Sequence, residues 1–86
     1  QNYPNPFNPF TRIEYELPKT EQVSLKIFDI TGREVVSLVN EVQKPGRKFT
    51  LWDATNKSGH SVSAGTYIFT IQAGKFRQTK KMVLLK

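Results

Sequence analysis

The stretch that decides the fold is residues 23–35, VSLKIFDITGREV. From Val23 to Ile27 every second residue is apolar and the residues between are polar, which is the period of a strand with one buried face. Phe28 and Ile30 break this alternation and make the end of the strand apolar on both faces. Thr31-Gly32 then favours a reversal, because glycine tolerates the positive φ of a tight turn. The segment therefore predicts a strand, a turn and the start of another strand.

The same alternation continues on both sides of this segment. The other predicted strands are residues 11–17, about 34–39, 48–52, 66–73 and 76 to the end of the chain. Pro18, Pro45-Gly46 and Gly74 mark the reversals between them. The connection around Gly74 is short enough to predict a hairpin between the last two strands. Residues 82–85 are continuously apolar, which predicts that the last strand is covered on both faces.

Two of these strands break the alternation in ways that leave a question open. The strand at residues 48–52 has apolar residues on both faces, Phe49 and Leu51 opposite Trp52, so either face can point inward. The strand at residues 66–73 alternates except at Ile68.

Short strands, regular turn residues and no helical period predict an all-β fold, an immunoglobulin-like antiparallel β-sandwich of about six or seven strands. The 86 residues, 37% of them hydrophobic, suit one compact domain over residues 1–86. There is no cysteine, so apolar packing and strand pairing must hold the fold together. No apolar run approaches the roughly 20 residues of a transmembrane helix. The first residues lack the layout of a signal peptide, so we expect any export signal to precede them.

Residues 1–10, QNYPNPFNPF, form a proline-rich leader. The three prolines exclude a helix and favour extended backbone. The aromatic residues Tyr3, Phe7 and Phe10 gain free energy only by packing on an apolar surface. We therefore predict an ordered leader that docks on the domain.

The net charge of +6 is unevenly distributed along the chain. Residues 1–53 carry seven basic and seven acidic side chains, whereas residues 54–86 carry six basic and no acidic ones. Such a basic segment suits nucleic acid, an anionic membrane surface or an acidic protein partner. Lysines on an edge strand also protect it from pairing with another sheet, so a docking surface and an ordinary solvated strand remain open alternatives.

Candidate residues for catalysis are few, and we predict no catalytic, cofactor or metal site. His60, the single histidine, lies among serines in a predicted loop, and Asp29 and Asp53 each precede turn residues that suit local backbone hydrogen bonds. Residues 53–59 carry several side-chain oxygens, but only Asp53 is acidic and Lys57 opposes a cation, so a plain turn is favoured over a calcium loop. No glycine-rich phosphate loop is present.

The ten aromatic residues are best explained by core packing, since most fall at inward positions of the predicted strands. Trp52 is left open. A carbohydrate-binding accessory module requires Trp52 and a tyrosine exposed together on one flat face. Nucleic-acid binding is disfavoured, because a basic strand without exposed interleaved aromatics supplies only nonspecific attraction.

The order of motifs resembles one known family over essentially the whole chain, the type IX secretion system C-terminal sorting domain of type A, or Por secretion tail. The motifs, in order, are NYPNPFNP at residues 2–9, VSLKIFDITGREV at 23–35, Pro45-Gly46, Trp52-Asp53, SAGTY at 63–67 and KKMVLLK at 80–86. Each motif alone is weak, and the ordered set is specific. The chain is also similar to the immunoglobulin-like domains of flagellar hook-capping proteins.

The resemblance implies a Greek-key sandwich that serves as an address on a larger exported protein. Its partners would be the translocon and processing machinery of the type IX system, and its cargo would reach the cell surface or medium through the periplasm. The residues expected to face the translocon are Asp29, Gly32, Arg33, Lys80, Lys81, Met82, Val83, Leu84, Leu85 and Lys86. The alternatives are an immunoglobulin-like structural spacer and the carbohydrate-binding accessory module.

Overall fold

The computed structural model describes residues 10–85, all of them in strands, turns and loops. The strands are β1 (Thr11–Leu17), β2 (Glu21–Asp29), β3 (Glu34–Gln43), β4 (Gly46–Trp52), β5 (Gly65–Ala73) and β6 (Phe76–Leu84). All of the predicted strands are present. β3 continues to Gln43, beyond the predicted end near residue 39, and β4 begins at Gly46 rather than at residue 48. The leader prediction concerns residues 1–9, which lie outside the described residues, and Phe10.

The strands form two antiparallel sheets. One has the order β3-β2-β5-β6, and the other pairs β1 with β4. After the β2–β3 hairpin the chain crosses to the other sheet as β4, and β5 then returns beside β2, which is the Greek-key arrangement. The predicted immunoglobulin-like β-sandwich is confirmed.

The core lies between the two sheets and is centred on β2. The side chains of Val23, Leu25 and Ile27 are completely buried, because β2 is an interior strand and these residues point toward the second sheet. Ile13 and Leu17 face them from β1. Burying one such side chain contributes roughly 1.5–3 kcal/mol. The alternation read in residues 23–27 therefore marks the centre of the fold.

The edge strand β3 contains two β-bulges, which were not predicted from the sequence. Its register with β2 shifts between Leu25 and Lys26 and again between Ile27 and Phe28, so Leu38 and Val35 are extra residues on the β3 side. Each β-bulge adds one residue to β3 and so shifts the alternation of inward and outward side chains by one position. This is why the apolar residues of VVSLV at 35–39 do not alternate and yet are all half-buried.

The open question about β4 is settled by Trp52, whose side chain is 1% exposed. Phe49 and Leu51 therefore point outward, and they are 54% and 49% exposed. The Arg12 guanidinium lies 3.9 Å from the centre of the Phe49 ring, a cation–π contact. Phe49, like Phe10 and Phe76, is exposed, so these three rings are exceptions to the expectation that most aromatic residues serve the core.

Candidate recognition surface

The turn at residues 29–33 is held by the carboxylate of Asp29. Asp29 Oδ1 accepts hydrogen bonds from the Thr31 hydroxyl, from the Thr31 amide at 2.9 Å and from the Arg33 amide at 3.1 Å. The backbone closes the turn through Asp29 N–H to Arg33 O and Gly32 N–H to Asp29 O, both 3.0 Å. The hydrogen bond from the Thr31 hydroxyl is the main reason that the pKa of Asp29 is lowered. The predicted local role of Asp29 is confirmed.

The loop after β4 uses the same chemistry twice. Asp53 Oδ1 accepts hydrogen bonds from the Thr55 hydroxyl and the Thr55 amide, and Asn56 Oδ1 accepts them from the amides of Ser58 and His60, each at 3.0 Å. The side-chain oxygens that had suggested a calcium loop are thus engaged in holding the backbone. Among residues 10–85 no cluster of three acidic, histidine or cysteine residues is placed to hold a metal ion.

This loop packs on the start of β3 beside the turn. The Lys57 amide donates to the Val35 carbonyl at 3.0 Å, and a shallow cleft of about 410 Å³ runs between the loop and the turn. Tyr67 lines the cleft, and its hydroxyl donates to the Ser63 carbonyl at 2.6 Å. Burial raises the pKa of Tyr67, and the nearby charge of Asp29 raises it further. The turn and the loop therefore form one continuous end of the sandwich, which we call the turn end.

The strand register brings the last strand to the same end. Asp29 lies opposite Tyr67 across β2 and β5, and Tyr67 lies opposite Met82 across β5 and β6. Gly65 lies opposite Leu84. The turn at residues 29–33 and the apolar end of β6, which are far apart in sequence, are thus separated by a single strand. Lys80 and Lys81 lie farther from this end, opposite Phe69 and Ile68.

The end of β6 divides between two faces. Leu84 is 3% exposed and Met82 is half-buried, so both belong to the core side. Val83 and Leu85 are 63% and 76% exposed. The expectation that β6 is covered on both faces is therefore wrong, since the second sheet covers only one of them. Lys86 lies outside the described residues.

The chain matches the profile of a known protein family over almost its whole length. The profile of the family described as Secretion system C-terminal sorting domain matches residues 1–85. The chain belongs to this family. The sorting domain is the C-terminal signal for type IX secretion, and it marks its protein for export across the outer membrane to the cell surface or the medium.

Two further comparisons bear on the fold of the sorting domain. No curated protein matches it significantly. Among solved structures, the crystal structure of FlgD from P. aeruginosa is similar, with a TM-score of 0.69 and 24% identity over 87% of this chain. The match covers 58% of that FlgD chain. At this identity the likeness establishes the shared fold alone, and it agrees with the predicted relation to hook-capping immunoglobulin-like domains.

The outer face of the four-stranded sheet adds two residues that sequence reasoning had not assigned to the surface. Phe28, Ile68 and Lys81 lie side by side in register across β2, β5 and β6, and Val83 follows Lys81 by one repeat on the same face. Phe28 and Ile68 are half-buried although no second layer formed by residues 10–85 covers them. The signal was present, since these two residues are the ones that interrupt the alternation of their strands. Phe28 and Ile68 are direct partners in the β2–β5 pairing, so the two exceptions lie side by side.

Other candidates take ordinary places in the sorting domain. His60 is exposed in the loop and its amide donates to Asn56, as a solvated loop histidine would. Buried Trp52 donates its indole N–H to the Thr55 carbonyl at 2.9 Å, so it is not available as a platform for a sugar ring. The carbohydrate-binding alternative loses the residue on which it depended. No helix in residues 10–85 is long and apolar enough to span a membrane.

Proposed function

We propose that the chain is a single non-catalytic module, residues 1–86, and that the type IX translocon reads it as a folded surface made of the turn end and the adjoining outer face of the four-stranded sheet. The observation that carries this proposal is the row Asp29, Tyr67 and Met82, which places two separate family motifs one strand apart. A linear signal would need no such arrangement. A rigid surface binds with a smaller loss of conformational entropy than a flexible tail.

The proposed surface has an apolar centre and a basic edge. Phe28 and Ile68 supply the centre, exposed Val83 extends it, and Lys81 supplies charge beside it. Apolar residues that are wholly or partly exposed and grouped in this way are typical of interaction sites. The recognition residues predicted from sequence divide accordingly into three groups. The turn residues Asp29, Gly32 and Arg33 border the surface, Lys81, Val83 and Leu85 lie on its exposed part, and Met82 and Leu84 hold β6 in place from the core side. Lys80 and Lys86 remain predictions.

Partners follow from the same proposal. The translocon would bind the module first, and the processing machinery would then separate it from its cargo. Neither step asks for a catalytic group on the module itself.

The experiment fuses the chain to an exported reporter in a bacterium with a type IX system. A Lys81→Glu/Val83→Asp variant should leave the reporter in the periplasm, because it reverses one charge and adds another at the proposed surface. The matched control is Lys19→Glu/Val42→Asp, which makes the same changes at exposed positions away from the turn end. The control should deliver the reporter to the cell surface.

The folding of both variants is measured separately, so that a secretion defect can be distinguished from unfolding. Both variants should show the unfolding midpoint of the unchanged chain within experimental error, since all four side chains are exposed. Normal surface delivery of the Lys81→Glu/Val83→Asp variant would reject the proposed surface. Normal delivery together with altered assembly of the fused protein would instead favour the structural-spacer alternative.

A further inference from the structure

Among the strands that the structure describes, β6 lies at an edge of its sheet, and its pairing contains no bulge. It pairs with β5 on one side, and its nine residues form an unbroken register from Phe76 to Leu84. The opposite edge, β3, carries two bulges, which disrupt the pattern that another strand would need for pairing. Of the two edges of this sheet, β6 is therefore the one able to accept a further strand.

The hairpin indicates which backbone groups β6 presents. Gly74 has a φ of +60° and begins the two-residue connection between Ala73 and Phe76, the geometry of a tight hairpin turn. The residues that flank such a turn form a hydrogen-bonded pair, and bonded and unbonded pairs then alternate along the ladder. The backbone groups that point away from β5 are consequently those of Arg77, Thr79, Lys81 and Val83.

The side chains of β6 select the kind of strand that would pair with it. Arg77, Lys80 and Lys81 are exposed, and none forms an ion pair with another described residue. Neither β5 nor β6 contains an acidic residue. Like charges placed opposite each other on paired strands are unfavourable, and opposite charges are favourable. A second copy of β6 is therefore repelled, whereas an acidic strand is attracted.

We propose that β6 accepts an extended acidic segment of a partner protein as an added strand of the β3-β2-β5-β6 sheet. Main-chain hydrogen bonds to the outward groups of β6 supply affinity, and carboxylates opposite Lys80 and Lys81 supply selectivity. The assignment of this partner to the translocon rests on the proposed function above. The strand addition itself depends only on the edge and its charges.

The test measures binding of a synthetic peptide to the purified chain by fluorescence anisotropy. The peptide is as long as β6, carries two adjacent glutamates to lie opposite Lys80 and Lys81, and is otherwise built of valine and threonine. Its counterpart carries lysine in place of glutamate. We expect the acidic peptide to bind and the basic one not to bind. On binding, the outward amides of Thr79 and Lys81 should exchange their protons more slowly, while those of β3 should not change.

Two changes separate strand addition from simple charge attraction. Thr79→Pro removes one outward N–H while leaving the bonds to β5, and it should abolish peptide binding. Lys80→Glu/Lys81→Glu should weaken binding by up to about thirtyfold, from two cross-strand pairs at up to roughly 1 kcal/mol each. The matched control Lys19→Glu/Lys44→Glu has the same net charge as that variant and should bind like the unchanged chain.

The outcomes distinguish this inference from the proposed function. Should Thr79→Pro disturb the fold, an acidic peptide methylated on alternate amide nitrogens replaces it, and this peptide should not bind. Equal binding of the methylated and unmethylated peptides, or equal loss in both charge variants, would overturn strand addition and indicate nonspecific attraction of anions. A secretion defect in Lys81→Glu/Val83→Asp without peptide binding would reject this inference and leave the proposed function standing.

Discussion

The rings of Trp52 and Tyr67 meet edge to face, with centroids 5.2 Å apart and planes inclined at 70°. Trp52 belongs to the β1–β4 sheet and Tyr67 to the four-stranded sheet, so this contact joins the two layers. Each ring also anchors the loop between them, Trp52 through the Thr55 carbonyl and Tyr67 through the Ser63 carbonyl. The loop is therefore fixed at both of its ends by one aromatic pair, and the shape of the turn end depends on the core.

Removing the Tyr67 hydroxyl should destabilise the chain less than removing the whole Trp52 side chain. Tyr67→Phe deletes a partly buried hydrogen bond and should lower the free energy of unfolding by about 1 kcal/mol. Trp52→Ala should lower it by about 3–5 kcal/mol, because it leaves a large cavity. Urea unfolding followed by circular dichroism measures both, with half-exposed Leu51→Ala as the control. A Tyr67→Phe variant as stable as the unchanged chain would show that the Ser63 hydrogen bond contributes nothing.

The turn at residues 29–33 should depend on the backbone of Gly32. Its φ of +88° lies in the left-handed region, while the space where a Cβ would stand is open. Gly32→Ala should therefore destabilise the chain by about 1–2 kcal/mol through backbone strain alone. Gly32→Asn should cost less, since asparagine adopts positive φ more readily. Equal losses in the two variants, measured by urea unfolding, would contradict this explanation.

The stability of the chain should change at low pH partly through Asp29. Its pKa is lowered in the folded state, chiefly by the Thr31 hydroxyl, so folding favours the ionised carboxylate. The resulting stabilisation is fully present above the unfolded value of about 3.9 and is lost as the pH falls through the lower folded value. The stability difference between the unchanged chain and Asp29→Asn should thus be constant between about pH 5 and pH 7 and should shrink below about pH 4.

A second variant tests the cause of this shift. Thr31→Val removes the hydroxyl that donates to Asp29 and should raise the pKa of Asp29, as followed by an NMR titration of its carboxyl carbon. An unchanged titration in Thr31→Val would assign the shift to the backbone amides instead.

Neighbouring residues of β6 should affect folding very differently. Leu84 is 3% exposed and lies opposite Gly65, whereas Val83 is 63% exposed. Leu84→Ala should lower the free energy of unfolding by about 2–5 kcal/mol. Val83→Ala should change it by no more than about 0.5 kcal/mol, as is usual for surface positions. Similar losses from the two substitutions in urea unfolding would mean that β6 does not occupy the described register.

Much of the fold could be predicted because it depends on neighbouring residues. The alternation in β1, β2 and β5 and the turn residues Pro18, Gly32 and Gly74 are local signals, and each appears where it was expected. β3 pairs with β2 as far as Gln43 rather than ending near residue 39, and two bulges within residues 34–39 break its alternation. A bulge is defined by the partner strand, and the partner is not visible in a local pattern.

The candidate surface could be predicted only in part. The ordered motifs led to the family, and Asp29 was correctly assigned to a local turn. The placement of Leu84 on the core side and of Val83 on the exposed side depended on which face of β6 the second sheet covers. Phe28 and Ile68 were visible as exceptions in their strands, but their adjacency was not.

The sequence by itself determined the class of fold, the positions of the turns and the family, since these depend on residue type, period and order along the chain. The tertiary structure alone decided that Trp52 points inward, that β3 bulges and that Asp29, Tyr67 and Met82 share one row. The physical reason is that a strand has two equivalent faces and two edges until other strands pair with it. Pairing between distant segments chooses which face is buried and which residues become neighbours.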